Sequence, residues 1–143
     1  MQPEALRKRR NLAIFLDDVA DSDGVDKEFL KSMFLKDGHH RLWSIFLIVH
    51  HLFDSSIPYL RTILLNVQIF YLTNSPRSVS SLRTFMHQCF PGHGQTVMKI
   101  YSKLMDTNFN YLILDLHPRT NNRLRLKSKI FPDEGPTEVY LLE

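Results

Sequence analysis

Four short apolar runs alternate along the chain with segments whose apolar residues recur at helical spacing. The runs cover residues 12–16, 42–49, 66–72 and 110–116. Each is nearly continuous in apolar character, which is typical of strands that are covered by helices on both faces. The alternation predicts an α/β fold in which a mostly parallel sheet is flanked by helices.

The segments between these runs predict helices. Residues 26–36, 78–90 and 94–107 each place apolar side chains on one helical face. Residues 55–65 predict a shorter helix with Pro58 near its start, because proline is tolerated in the first turn of a helix and not in its interior.

The tail predicts two strands around a turn, with RLRLKSKIF and TEVYLL on either side of PDEGP. The sequence contains no internal repeat, no low-complexity linker and no break in composition. A single domain over residues 1–143 is therefore expected.

The charge of the chain is slightly basic, with 18 Lys and Arg against 15 Asp and Glu. Much of the excess lies at residues 7–10 and 119–129, which permits nucleic-acid binding. Arg123, Arg125 and Lys127 alternate, so on a strand they would share one face and form a stripe able to follow a phosphate backbone. Such binding is expected to be weak, independent of base sequence and sensitive to salt.

Cysteine and hydropathy exclude several classes of protein. Cys89 is the single cysteine, which rules out an intramolecular disulfide and a cysteine-based zinc cluster and suits a reducing compartment. The basic start does not lead into a signal peptide, and no apolar run reaches the roughly 18 residues of a membrane span. The sequence predicts a soluble, intracellular protein without a membrane partner.

Two adjacent aspartates, Asp17 and Asp18, end the first apolar run. Acids at the carboxyl end of a buried parallel strand face the crevice in which α/β proteins bind ligands. Neighbouring carboxylates repel each other, and Mg²⁺ carried by a nucleotide relieves that repulsion. In a Walker B strand the first acid holds Mg²⁺ through a water and the second polarises the attacking water. The pattern predicts these roles for Asp17 and Asp18, with a solvated acidic turn as the alternative.

The order of segments from this strand onward carries a wider similarity. The segments are LAIFLDDV, GHHRLWSIFLIVHHLF, LRTILLNVQIFYLTNSPR and FNYLILDLHPRTNNRLRLKSKIFP, within residues 11–132. Their order resembles the second half of the viral genome-packaging ATPases of the FtsK-HerA superfamily, the poxvirus type also found in Polinton-like mobile elements. The resemblance implies a P-loop NTPase core of the RecA/FtsK type, with ATP and Mg²⁺ as cofactors of the complete protein.

The resemblance also implies partners and a location. The complete motor would form a homo-oligomeric ring that pumps double-stranded DNA into a capsid, with capsid or portal proteins as further partners. A viral protein of this kind would work in the virion or at the viral assembly site.

The phosphate-binding loop of such motors is missing from these 143 residues. A P-loop requires G-x-x-x-x-G-K-[ST], and the nearest glycine-rich piece, PGHGQT at 91–96, lacks the lysine and predicts a loop before a helix. The chain is thus expected to be an incomplete motor domain, a carboxy-terminal fragment or a decayed or mis-started copy, that is inactive alone. The alternative is a non-catalytic remnant that binds nucleic acid or a protein partner.

The resemblance assigns further polar residues. His50 and His51 stand where the family has a sensor Gln followed by Asn, and His50 could replace the sensor because imidazole can donate a hydrogen bond to a phosphate oxygen. Asn66 resembles the family's polar residue at the start of the next strand, with a turn or strand-start hydrogen bond as the alternative role.

An arginine that stabilises charge on a neighbouring subunit's nucleotide is also expected. Arg41, in the predicted loop GHHR, is the candidate, and Arg61 and Arg77 compete with it. For each of them a solvated or structural ion pair is the ordinary alternative.

Two metal-based alternatives have less support in the sequence. Zinc would require ligands from His39, His40, His50 and His51, and adjacent histidines on a strand point to opposite faces. A metal-dependent nuclease would use Asp17, Asp18 and Asp115, but no nuclease signature accompanies them.

Overall fold

The computed structural model describes residues 11–17, 27–53 and 59–142. The chain divides into two compact units, Met1–Asn66 and Val67–Glu143. The described residues form a mixed α/β structure, as predicted. None of the helices within the described ranges is long and apolar enough to cross a membrane.

The first unit combines a pair of parallel strands with short helical segments. Its elements are β1 (Ala13–Asp17), α1 (Lys27–Ser32), a π-helical turn (Met33–Asp37), α2 (Gly38–Arg41), β2 (Ser44–Ile48) and α3 (Leu60–Leu64). The strands pair in register from Ala13 opposite Ser44 to Asp17 opposite Ile48. Both strands are confirmed. The predicted helix at 26–36 is confirmed as α1 with the π-helical turn, and the one predicted at 55–65 is observed as α3 within the described residues, whereas GHHR, predicted as a loop, is helix α2. Pro58 lies outside the described residues.

The second unit contains an antiparallel sheet with a pair of helices between its first and second strands. Its elements are β3 (Ile69–Leu72), α4 (Val79–Cys89), α5 (Gly94–Met105), β4 (Leu112–Asp115), β5 (Leu126–Ser128) and β6 (Glu138–Val139), with 3₁₀ turns at Pro76–Ser78, Asn122–Leu124 and Pro132–Glu134. The strand order is β3-β4-β5-β6, and each neighbouring pair is antiparallel.

The prediction of one mostly parallel sheet is wrong for the second unit. The parallel arrangement is confined to β1 and β2, and β3 pairs with β4 in an antiparallel sheet. A single helix between two strands carries the chain back to the end of the sheet where the first strand began, so the second strand runs parallel to the first. Here two helices, α4 and α5, lie between β3 and β4, so the chain reverses once more and the strands pair antiparallel.

The strands of the two units also differ in how far their faces are buried. β4 is buried on both faces, as its continuous apolar run predicts, with Leu112 and Leu114 fully inaccessible. β1 and β2 instead alternate, and Phe15 is 67% exposed and Phe46 41% exposed. These two rings stack in parallel with centroids 4.4 Å apart. The prediction that helices cover both faces of β1 and β2 is therefore wrong.

The core of the second unit fixes α4 and α5. Phe70 on β3 packs against Phe85 on α4 with ring centroids 4.8 Å apart. On α5, the buried Tyr101 donates a hydrogen bond to Thr73 O (2.9 Å) and accepts one from Ser75 N (3.2 Å), which ties the segment after β3 to the helix. The largest fully buried side chains among the described residues of this unit are Met86, Val97, Leu112, Leu114 and Leu126.

Candidate functional site

Asp17 and His50 lie at the same edge of the β1–β2 pair. Asp17 ends β1 opposite Ile48, which ends β2, and His50 follows two residues later. Because the strands are parallel, both side chains belong to the carboxyl-terminal edge, and both are exposed. A Walker B acid and a sensor must face one phosphate, so the resemblance implies such a shared edge, and the structure confirms it for Asp17 and His50. The chemical roles of the two residues stay predictions. Asp18 lies outside the described residues.

Arg41 is held in a local network at the end of α2. Its Nε donates to Asp37 Oδ1 at 3.1 Å, and its guanidinium lies 5.7 Å from the centre of the Trp43 ring. Asp37 is only 6% exposed, and Ser32 Oγ donates to its Oδ2 at 2.8 Å. A buried carboxylate requires such partners, so the structure gives Arg41 the structural role that was the alternative.

Arg41 also lies at the opposite edge from Asp17. Asn11 N, before β1, donates to Arg41 O at 3.2 Å, and Ser44 N donates to Leu12 O at 2.8 Å. The connection between α2 and β2 is therefore beside the amino end of β1, about 13 Å along the strand from its carboxyl end. The structure does not bring Arg41 together with Asp17 and His50 within one chain.

Asn66 caps the end of α3 and does not open a strand. Its side-chain amide donates to Thr62 O at 2.9 Å and its backbone amide to Ile63 O at 2.8 Å. β3 begins only at Ile69. The expected strand-start position is wrong, because the polar side chain satisfies the free carbonyls of the preceding helix. The competing Arg61 is exposed on α3, and Arg77 is exposed in a 3₁₀ turn.

The predicted basic stripe in the tail does not form on one strand. Arg123 lies in a 3₁₀ turn, Arg125 follows it, and Lys127 is in the three-residue strand β5. The Asn121 side chain accepts a hydrogen bond from Arg123 N at 3.0 Å and so opens a turn where a strand was expected. The single-face arrangement of the three cations is wrong.

Two of these three cations have internal partners. Arg125 donates to Asn122 Oδ1 (2.9 Å) and to the backbone oxygen of Asp115 (3.3 Å), and Lys127 Nζ lies 3.0 Å from Asp115 Oδ2. Arg123 is exposed and remains the member of the set that is best placed for a phosphate. Their role in DNA binding stays a prediction.

Asp115 is an anchored carboxylate. Burial raises its pKa, but hydrogen bonds from Lys127, from Thr120 Oγ1 (2.9 Å) and from His117 N (3.2 Å) outweigh burial and hold the pKa below the ordinary 3.8. Its two oxygens thus already have donors, which leaves the nuclease hypothesis without support from this residue.

Metal ligands are not clustered in the part of the chain that the structure describes. Residues 11–17, 27–53 and 59–142 contain no group of three or more His, Cys, Asp or Glu side chains that could hold a metal. His39 and His40 lie on the short helix α2, and His50 and His51 follow β2. The zinc hypothesis gains no support from these positions.

A basic groove between α4 and α5 was missed by sequence reasoning. It has a volume of about 540 Å³ and is lined by Val79, Arg83, His87, Gln95, Met98, Lys99 and Ser102. Its members recur at helical spacing on both helices. The sequence signal was available, because no Asp or Glu occurs between Asp54 and Asp106. It was overlooked because its cations are spread along helices rather than in a run.

Comparison with known proteins adds no relative: the sequence matches no family model, and neither a curated protein nor a solved structure is significantly similar to it.

Proposed function

We propose that the β1–β2 edge is the Mg²⁺- and phosphate-facing part of a DNA-packaging ATPase of the FtsK-HerA type, a P-loop NTPase of RecA/FtsK-like core. The observation that supports this proposal is the parallel register that pairs Asp17 with Ile48 and leaves His50 just beyond it. A Walker B acid and a sensor must face one phosphate, and a shared carboxyl edge meets that requirement.

The proposed roles of Asp17, Asp18 and His50 are distinct. Asp17 offers an exposed carboxylate, which suits a hard cation that retains water ligands. Mg²⁺, when bound, supplies charge neutralisation at the phosphates. Asp18 orients and polarises the attacking water, and His50 donates a hydrogen bond to a phosphate oxygen.

Turnover requires more than this edge. The 143 residues contain no G-x-x-x-x-G-K-[ST] sequence, and phosphoryl transfer depends on a cradle that positions and neutralises the phosphates. We therefore expect the chain alone to bind a metal–nucleotide complex weakly and to hydrolyse no ATP above an Asp18→Asn control. The reading frame upstream of Met1 offers a direct check, since a P-loop sequence there would support the motor.

Paramagnetic broadening tests the edge itself. Mn²⁺ added with ATP should broaden the amide NMR signals of both Asp17 and His50, because one bound ion would lie near both strand ends. Asp17→Asn should abolish the broadening, and the matched control Asp106→Asn, at an exposed aspartate that follows α5, should not. Broadening that omits His50, or that survives Asp17→Asn, would contradict the proposal.

The assembly partners belong to the complete motor. A homo-oligomeric ring acting on double-stranded DNA, with capsid or portal proteins, accords with the proposed ATPase, and the exposed Arg123 is the tail residue best placed for a DNA phosphate. Arg41 could serve only a neighbouring subunit, since its own chain keeps it at the other edge.

A non-catalytic interaction module is the second candidate, and the basic α4–α5 groove favours it. Such a module needs no nucleotide chemistry at Asp17. A chain that binds a partner through the groove and shows no Mn²⁺ effect at Asp17 and His50 would favour this candidate over the motor.

A further inference from the structure

The α4–α5 groove has one row of polar side chains on each helix and two apolar side chains in its lining. On α4, Arg83 and His87 are four residues apart, and on α5 Gln95 and Lys99 have the same spacing. Four residues of helix rise about 6 Å, so each row presents donors in succession along one face. Val79 and Met98 provide the apolar part of the lining.

Close packing holds the two walls of the groove in place. A Cβ atom on the buried Gly94 would lie 2.7 Å from His87 Cα and from its ring, so only glycine lets the start of α5 approach α4 this closely. Met86 on α4 and Val97 on α5 are fully buried. The groove is therefore built on rigid helices and needs little ordering when a ligand binds.

The charge of the groove is not balanced locally. The sequence contains no Asp or Glu between Asp54 and Asp106, a span that includes both helices. Among the described residues, no carboxylate forms an ion pair with Arg83 or Lys99, in contrast to Arg41, Lys127 and Lys129. A ligand that pairs with Arg83 and Lys99 therefore carries negative charge.

The lining of the groove decides which anion fits. Among the described residues, the lining contains no Phe, Tyr or Trp, the large rings on which sites for single-stranded nucleic acid mostly stack bases, and His87 is its one ring. Val79 and Met98 would gain nothing from a phosphodiester backbone but can pack against apolar side chains.

We propose that the α4–α5 groove binds an acidic peptide segment of a protein partner. Apolar side chains of that segment contact Val79 and Met98, and its carboxylates pair with Arg83 and Lys99. This is the helix-in-groove mode of recognition with acidic residues along its sides. The inference does not depend on nucleotide binding at the β1–β2 edge.

A designed probe tests the proposal. The probe is a fluorescein-labelled helical peptide with leucine at every fourth position and glutamates beside each leucine, and binding is measured by fluorescence anisotropy. Arg83→Gln/Lys99→Gln should weaken binding about tenfold or more. The control Lys36→Gln/Arg119→Gln, which removes one exposed Lys and one exposed Arg elsewhere, should change it less than about twofold.

Two further measurements separate a peptide site from general electrostatic attraction. Val79→Ser should weaken binding of the peptide several-fold and leave the weak binding of a DNA duplex unchanged. Arg83→Lys/Lys99→Arg, which keeps both charges, should retain most of the peptide affinity and guards against a folding defect.

Three outcomes would overturn the proposal: equal losses in both charge-removing double variants, undiminished binding of a probe with glutamine in place of glutamate, or tight duplex binding that the groove variant abolishes. Because neither helix includes Asp17 or His50, Mn²⁺ broadening at the β1–β2 edge should persist in the groove variants. The two proposals can therefore fail separately.

Discussion

Lys127 Nζ lies 3.0 Å from Asp115 Oδ2 and joins the side chains of the neighbouring strands β5 and β4. Asp115 is 13% exposed at its side chain and Lys127 25% exposed, so the pair is largely shielded from water. A charge-assisted hydrogen bond in such a position contributes more to stability than an exposed ion pair does. Lys127, which was predicted to belong to a DNA-binding stripe, therefore has a structural role in this ion pair.

Replacement of Lys127 by Met should destabilise the chain. Asp115 would keep its burial but lose its charged donor, and the free energy of unfolding should fall by about 1–3 kcal/mol. Urea denaturation measures the effect. The control Lys103→Met, at an exposed lysine near the end of α5, should cost less than about 0.5 kcal/mol. Equal costs would show that the ion pair contributes nothing specific.

The pH dependence of stability should reveal Asp115 as well. Its pKa in the folded chain is below the ordinary 3.8, so the folded state binds a proton less readily than the unfolded state. The stabilisation is thus complete above about pH 5 and disappears as the pH falls through the folded pKa. Asp115→Asn should flatten the loss of stability below pH 4 in a urea series. An unchanged acid limb would refute this assignment.

The hydrophobic pattern predicted elements better than it predicted their relations. The positions of β1, β2, α4 and α5 followed from apolar spacing, and the common edge of Asp17 and His50 followed from the parallel pairing of two strands. The direction of the strands in the second unit could not be predicted from the pattern, because a continuous apolar run such as β4 is compatible with parallel and with antiparallel pairing.

The roles of single polar residues were harder to predict because their partners are local. Arg41 is captured by Asp37 four residues earlier, and Asn66 by the carbonyl of Thr62. Such contacts depend on where a helix ends, and helix ends are the least certain feature of a pattern. The groove cations stood too far apart in sequence to be recognised as a cluster until α4 and α5 were paired.

Gly94→Ala should disturb the α4–α5 pair. The added methyl carbon would lie 2.7 Å from His87 Cα. Because His87 Cα is a backbone atom, this clash can be relieved only if the two helices move apart. We expect a loss of about 1–3 kcal/mol despite the better helix propensity of alanine. Thr96→Ala, at an exposed position on the same helix, is the control in thermal unfolding. If the Gly94→Ala chain is as stable as this control, α5 does not approach α4 as closely at Gly94 as the structure indicates.

The stacked pair of Phe15 and Phe46 should be measurably coupled. Their rings are parallel within 7° and their centroids are 4.4 Å apart on neighbouring strands. A double-mutant cycle with Phe15→Leu and Phe46→Leu should give a coupling free energy of about 0.5–1.5 kcal/mol. Additive effects of the two substitutions would mean that the stacking itself does not stabilise the pairing of β1 with β2.

Cys89, the last residue of α4, should react slowly while the chain is folded. Burial raises the pKa of its thiol from an ordinary 9.0 to about 11. Because the thiolate is the reactive form, its fraction at about pH 8 should be about a hundredfold lower than in the unfolded chain. The rate of disulfide exchange with an aromatic disulfide reagent, measured with and without urea, checks this expectation. The folded rate should also keep rising with pH beyond 9, whereas the rate in urea should level off there. A folded chain that reacts as fast as the unfolded one would show that burial neither shields the thiol nor raises its pKa.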